Sequence, residues 1–397
     1  MNRTITLIFG LIFTLPIQAQ SLADALEQAW SRNPAAAAGT VRKAEAQARI
    51  EAAASMTPGP ASISLSNLND RAGRNLGKQE WEIEMAVPLW LPGQKAAREA
   101  EAFSAQSEMA ARYRALRLQI AGEVRDRWWA VAAARNASTL ARHRVATARA
   151  LESDVLRRFR AGELARIDAN LVQNERLAAD AELADAETLL LQAEHAYRSL
   201  TGVAAPAVLA AENAVATRET RDNHPQLAAL AAAAQLARAK LKAATKAQRD
   251  APELAMRVAR DRSDFTEPYS NAIGVKLTIP FSFGPRVRQE NSAARAEVDQ
   301  ADAELALAHL KLDLERESAE RGLDTAERQL TMAQQRRELT ADTLRLAEKA
   351  FSIGESDLPA VLRARAAAFE AEALLNRQQV TLAASRSRIN QILGVLP

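Results

Sequence analysis

There is no cysteine anywhere in the 397 residues. That excludes disulfides, thiolate metal sites and a lipid-modified N-terminal cysteine. Aromatic residues are scarce as well, at 4 % of a chain that is 48 % hydrophobic. Much of the apolar fraction is alanine, the strongest helix former, whose small side chain lets helices approach closely. A wide globular core would use more Phe, Ile and Val, so the composition points to long, thin helical packing. Charge of one sign is also lacking: 52 Lys and Arg face 49 Asp and Glu, for a net charge of +3. No basic cluster interleaved with aromatics is present, which argues against a nucleic-acid partner. Beyond residue 20 no run of about 20 apolar residues occurs, so no transmembrane helix is expected there. Neither a G-x-S-x-G elbow, a P-loop nor a Cys/His framework is found. The four histidines, His143, His195, His224 and His309, are scattered, with no pair at i, i+4 spacing. No catalytic, cofactor or metal site is therefore expected.

What is present begins at the N-terminus. Met1-Asn2-Arg3 is a short basic start, and Thr4 to Leu15 is an apolar run of secretory-signal length. Pro16-Ile17-Gln18-Ala19 then offers a cleavage site after Ala19. Residues 1–19 read as a signal peptide, against the alternative of a buried N-terminal helix. An exported chain without a membrane helix is either soluble or part of a β-barrel.

An internal repeat organises the rest. Val87-Pro88 recurs as Ile279-Pro280, 192 positions on. At the same offset Phe159-Arg160-Ala161-Gly162-Glu163 recurs as Phe351-Ser352-Ile353-Gly354-Glu355, Leu200-Thr201-Gly202 as Ile392-Leu393-Gly394, and Pro60 as Pro252. Asn33-Pro34 matches His224-Pro225 at an offset of 191. Ordered landmarks near one offset indicate two tandem units, 20–202 and 203–397. Each unit opens with a helix, at about 21–56 and 222–249, and continues into a Pro-punctuated pair of strands, at about 60–89 and 252–281. Proline-free helical stretches follow at roughly 94–157 and 286–350, each about 95–100 Å long at 1.5 Å per residue. Glycine turns at Gly162 and Gly354 lead into returning helices that end at Gly202 and Gly394. Leu116, Ile120, Val124 and Trp128 lie four apart, and Leu307, Leu310 and Leu314 keep three-four spacing; both sets form helix-face packing stripes.

The strand pairs alternate strictly. Ile63 and Leu65 are separated by serines. Trp81, Ile83, Met85 and Val87 alternate with Glu80, Glu82, Glu84 and Ala86. In the second unit Leu254, Met256 and Val258 alternate with Glu253, Ala255, Arg257 and Ala259, and Ile273, Val275, Leu277 and Ile279 with Ala272, Gly274, Lys276 and Thr278. Period-two alternation places the two sets on opposite faces. Polar loops at about 69–79 and 261–270 join each pair as a hairpin. A lipid-facing barrel wall and a soluble half-buried sheet share this alternation. Trp81, Trp90, Phe265, Tyr269, Phe281 and Phe283 lie in or beside the strands, as interfacial girdle residues do. Four strands cannot close a barrel, whose lower limit is about eight. A barrel reading therefore requires oligomerisation, and three protomers supply twelve strands.

The repeat, the Asn33-Pro34 start, the two strand pairs, the Phe-x-x-Gly-Glu turns and the terminal Leu-Gly pairs together resemble the outer-membrane efflux protein (TolC-like) family over nearly all of the mature chain. The stretch 88–102 is similar to the strand-to-helix junction of its heavy-metal (CzcC-like) branch, although Pro92-Gly93-Gln94-Lys95 departs from the Gly-Gly-Lys-Arg usual there. The resemblance implies a mainly α fold with a small β part. Each protomer would have long antiparallel helices and four transmembrane strands, and three would form a twelve-strand β-barrel on a twelve-helix α-barrel. It implies a passive exit duct of a tripartite efflux or type I secretion system in the outer membrane, with its helical part in the periplasm and no enzymatic activity. The implied partners are two further copies of the chain, outer-membrane lipid, a periplasmic adaptor and an inner-membrane, proton-driven transporter. Metal cations and drugs both stand as cargo. The competing reading is a periplasmic coiled-coil adaptor or scaffold.

The resemblance places Phe159, Gly162 and Glu163, and Phe351, Gly354 and Glu355, at the periplasmic tip where the adaptor touches. A family acid six positions after the first glycine is matched by Asp168, whereas Ala360 stands at that place in the second unit, with Arg363 close by. Arg166, Asp168, Asp357 and Arg363 are thus candidate gate residues, as cross-helix ion pairs or as solvated helix charges. Glu80, Glu82 and Glu84, with Arg257 and Lys276, are expected to face the barrel lumen, where charge tunes selectivity.

Overall fold

The computed structural model describes residues 21–73, 75–214, 224–247, 249–281 and 284–397. The expected signal segment 1–19 and Phe283 lie outside these residues.

The chain opens with three short helices, α1 (Leu22–Arg32), α2 (Pro34–Ala37) and α3 (Gly39–Ala53). A single helix over 21–56 was expected, and the break has a local cause. Asn33 precedes a proline, which disfavours helical geometry for it. It sits at φ −72°, ψ 126°, and its side chain accepts a hydrogen bond from the N–H of Ala35 as the cap of α2. Ser21 and Asp24 form a capping box that starts α1. Strands β1 (Ser62–Asn69) and β2 (Gln79–Pro88) follow, then α4 (Gln94–Arg160) and α5 (Arg166–Thr201).

The second half repeats this order with one helix in place of three: α6 (Pro225–Lys246), β3 (Glu253–Arg262), β4 (Ser270–Thr278), α7 (Gly284–Ser352) and α8 (Leu358–Ile392). Helices α4 and α7 run 67 and 69 residues without proline beyond the first turn. Each is therefore about 100 Å long. α5 packs back along α4 and α8 along α7, while α4 also touches α6 and α8. The protomer is thus a mainly helical chain carrying one small antiparallel sheet at the end of its helices.

That sheet has the order β1-β2-β3-β4, antiparallel throughout. β2 and β3 pair in the middle, so the two repeats meet there. β1 and β4 are open edges within the chain.

The main core lies where α1 crosses α4. Leu22, Leu26, Ile120, Val124, Trp128, Trp129 and Tyr197 are buried together there, so the expected stripe on α4 is a true core face. The segment 203–214 is strapped across α4 by polar anchors. Arg135 donates to the carbonyls of Ala205 and Pro206, and Trp128 Nε1 to Ala210 O at 3.3 Å. Arg125, only 3 % exposed, pairs with Glu212 at 2.8 Å. It also donates to Gln391 Oε1 at 2.5 Å and Val395 O at 3.0 Å, so the strap and the C-terminus share one anchor.

The repeat does not extend to these side chains. At the same offset of 192, Arg125, Trp128, Trp129 and Arg135 face Glu317, Glu320, Arg321 and Glu327. α7 accordingly buries only Ala319, Ala326 and Ala333, at heptad spacing. Leu307, Leu310 and Leu314, expected as a packing stripe, are exposed on the single chain.

Candidate functional site: a strand wall and two helical tips

The register of the sheet sorts its side chains into rows. Ile63, Met85, Met256 and Val275 are successive cross-strand partners, as are Leu65, Ile83, Val258 and Ile273. Val87, Leu254 and Leu277 form a third row. Side chains alternate along each strand, so all three rows share one face. Among the described residues nothing covers that face: Ile63, Ile273 and Val275 are 75 %, 77 % and 76 % exposed. A soluble half-buried sheet would bury these positions instead.

The opposite face carries Ser64, Glu84, Arg257 and Gly274 in one row, and Ser66, Glu82, Ala259 and Ala272 in the next. Arg257 lies 3.9 Å from Glu82, and Lys276 lies 3.5 Å from Glu84. All five expected lumen residues are on this face, since Glu80 shares it through its pairing with Asp261. The glutamates are less exposed than the apolar residues between them.

At the far end of the helices the two chain reversals have the same geometry. Gly162 and Gly354 both sit at φ 80°. Gly162 N–H donates to Phe159 O and Glu163 N–H to Arg158 O; Gly354 N–H donates to Phe351 O and Glu355 N–H to Ala350 O. This is the Schellman ending, in which a left-handed residue caps the last carbonyls of the helix. Glu163 and Glu355 are solvent-exposed beside these turns. The two phenylalanines differ: Phe351 packs against Leu151, Val155, Val172 and Leu358, whereas Phe159 lies outside that cluster.

Within one chain the four candidate gate residues are not brought together. Asp168 accepts the N–H of Ala165 at 3.1 Å and Asp357 that of Ala360 at 3.0 Å, so both acids cap helix N-termini. Arg166 and Arg363 are exposed and form no ion pair among the described residues. The link between the two hairpins is made by Arg365 and Arg158, which sequence reasoning missed, and by Phe351, which it had placed at the tip. Arg365 on α8 reaches Glu348 on α7 and the backbone carbonyl of Thr147 on α4. The Arg158 guanidinium of α4 stacks over Phe351 of α7, 5.4 Å from the ring centre. Nothing in the sequence distinguishes Arg365 from Arg363, because a backbone carbonyl partner has no residue type to signal it.

The chain has two helical hairpins, an open apolar-faced sheet and a repeated architecture. Residues 216–395, most of the second unit, match the family described as outer membrane efflux protein. The match to the outer membrane efflux protein family thus rests on the second unit. No curated protein matches it. Among solved structures, its fold is similar to that of VceC, an outer membrane protein of Vibrio cholerae (TM-score 0.77, 16 % identity, 94 % of this chain and 96 % of that one). It is also similar to the CmeC outer membrane channel of Campylobacter jejuni (0.76, 15 %, 94 % and 85 %). The open state of the Neisseria gonorrhoeae MtrE outer membrane channel is comparable (0.75, 16 %, 95 % and 89 %). The chain shares the fold of these outer-membrane proteins and channels. Among the described residues no helix is long and apolar enough to cross a membrane.

Proposed function

We propose that the chain is an outer-membrane efflux protein, three copies of which join β4 of one to β1 of the next and close a twelve-strand barrel. The barrel opens into a periplasmic tunnel of twelve helices. The observation that carries this reading is the uncovered apolar face of the sheet with its two unpaired edges. An open edge exposes a row of N–H and C=O groups that lipid cannot satisfy, and closure satisfies all of them. The apolar rows then meet lipid, and Glu80, Glu82, Glu84, Arg257 and Lys276 line a wet lumen. The exposed leucines of α7 supply the seam to a neighbouring protomer.

The duct is passive, and an inner-membrane transporter supplies the energy through a periplasmic adaptor that meets the tips at Gly162 and Gly354. Metal cations and drugs remain the two cargo classes. A periplasmic adaptor or scaffold is the less favoured reading, since the chain has two hairpins and two strand pairs in place of one hairpin with flanking β-domains.

The test is insertion. Ile83→Arg and Ile273→Arg place a charge on the lipid face, at a cost of roughly 2–4 kcal/mol near the bilayer midplane. Both are expected to abolish heat-resistant trimers in outer-membrane fractions, while Glu84→Gln on the lumen face leaves them intact. Normal trimers in both arginine variants would refute the barrel.

A further inference from the structure

The apolar face of the sheet ends in two arginines. Arg260 and Arg262 continue the side of β3 that carries Leu254, Met256 and Val258, toward the hairpin loops and away from the helices. Arg260 stands beside Trp81 and Asn271, and Arg262 beside Gln79. In the barrel reading, on which this inference rests, both side chains point outward at the level of the outer-leaflet headgroups. A cation on the lipid face is costly at midplane and tolerated only near the interface.

Neither guanidinium is neutralised by the protein. Among the described residues no carboxylate pairs with either. Asp261 and Glu80 lie on the opposite face. Asp264, in the adjoining loop, is occupied by its own turn, accepting from the N–H and hydroxyl of Thr266 at 2.6 Å each. The arginines are held by rings instead. The Tyr269 ring centre lies 4.7 Å from Arg260 Cζ and 4.8 Å from Arg262 Cζ, and the Phe265 ring 5.3 Å from Arg262 Cζ. Arg262 Nε donates to Gly77 O at 3.0 Å, and the Tyr269 hydroxyl donates to Gln79 Oε1 at 2.8 Å. Two side chains are thus fixed in place while the Nη donors of both are unspent. A guanidinium fork matches a phosphate with two parallel hydrogen bonds, and stacking on a ring pre-organises it for that contact.

We propose that Arg260 and Arg262, set on Tyr269 and Phe265, bind the phosphate of a phosphorylated glycolipid headgroup in the outer leaflet. One such site lies on each protomer. β3 is an inner strand of the sheet, so the site is clear of the seams between protomers.

The experiment uses full-length trimers in mild detergent, probed with vesicles of phosphorylated lipid A, of enzymatically dephosphorylated lipid A and of phosphatidylglycerol. Each basic residue near an anionic lipid surface contributes about a 5-fold gain in binding, so Arg260→Gln/Arg262→Gln is expected to bind phosphorylated lipid A roughly 30-fold more weakly. Arg260→Gln alone, which removes no hydrogen bond of the fold, is expected to lose about 5-fold and carries the test should the double variant not assemble. Unchanged binding in either assembled variant overturns the proposal. Equal binding of dephosphorylated lipid A, or of phosphatidylglycerol, also overturns it. Full competition by millimolar inorganic phosphate would do the same, by pointing to a general anion site. Quenching of Trp81 fluorescence by brominated lipid chains separates the two levels. No quenching removes the barrel reading and this site with it, whereas quenching with unchanged lipid A binding removes this site alone.

Discussion

Arg365 on α8 donates from Nη1 to the backbone carbonyl of Thr147 on α4, 3.2 Å away, while its Nε and Nη2 hold Glu348 Oε1 on α7 at 3.0 and 2.6 Å. One side chain therefore ties three helices of both hairpins together near the tips. Parting the hairpins must break this tie, at about 2 kcal/mol per charged hydrogen bond lost. Arg365→Ala is expected to raise single-channel conductance of the reconstituted protein several-fold and to sensitise cells to large antibiotics. Arg365→Lys should fall between, because a single ammonium cannot span both partners. Wild-type conductance in the alanine variant would eliminate Arg365 as a closing tie.

A second tie holds the strap. Arg125 is buried with Glu212, Gln391 and Val395 O as its partners. Removing one member of a buried pair leaves the other charged and unpaired, a loss of about 3–5 kcal/mol. Arg125→Ala is expected to lower the melting temperature and open residues 203–214 to limited proteolysis. Arg125→Ala/Glu212→Ala should recover part of that loss. If the single and double variants melt alike, the pair is not coupled.

The glycines separate backbone strain from packing. A Cβ on Gly162 would meet nothing within 4 Å, so Gly162→Ala costs only the left-handed conformation, about 1–2 kcal/mol. At Gly394, also at positive φ, a Cβ would fall 2.7 Å from Pro225 Cδ and 2.9 Å from His224 Cδ2. Gly394→Ala is thus expected to be the more destabilising of the two in thermal melts of the protein. The reverse order would contradict the packing of the C-terminus on α6.

The order of elements was legible because it rests on local rules that repeat. Pro-free alanine-rich stretches, glycine turns and period-two runs each act over a few residues, and both units present them in the same order. Which face of the sheet is buried was not legible, since Trp81-Ile83-Met85 and Glu80-Glu82-Glu84 alternate identically in a soluble sheet and in a barrel wall. The register and the exposure of Ile63 and Ile273 add the observation that favours the barrel wall. The contacts at the tips were hidden for another reason. Asp168 and Asp357 have the composition of gate acids but serve the nearest free N–H groups as caps, an alternative always open to a carboxylate at a helix start. Arg125 and Arg365 reach backbone carbonyls and residues far along the chain, which no spacing rule anticipates.

His224 ties pH to the joint between the units. It occupies the place of Asn33 in the repeat, at the N-cap of α6, yet makes no side-chain cap hydrogen bond. The ring is buried against Gly394, and among the described residues neither ring nitrogen has a hydrogen-bond partner. Burial penalises the charged imidazolium and pushes its pKa below the ordinary histidine value. As pH falls through about 6.5, the unfolded chain takes up a proton that the folded chain refuses. Stability contributed by neutral His224 is therefore present above that value and is lost progressively with acidification, until the depressed folded pKa is reached. His224→Asn removes the titrating group and restores the side chain that caps α2 through Ala35 N–H at 2.9 Å. The melting temperature of the wild type is expected to fall more steeply than that of His224→Asn between about pH 7.5 and pH 5.5. The slope is the readout, because a gained cap of about 1 kcal/mol and lost ring packing shift the two curves vertically in opposite senses. Parallel curves would mean that His224 is hydrated or charged in the folded protein.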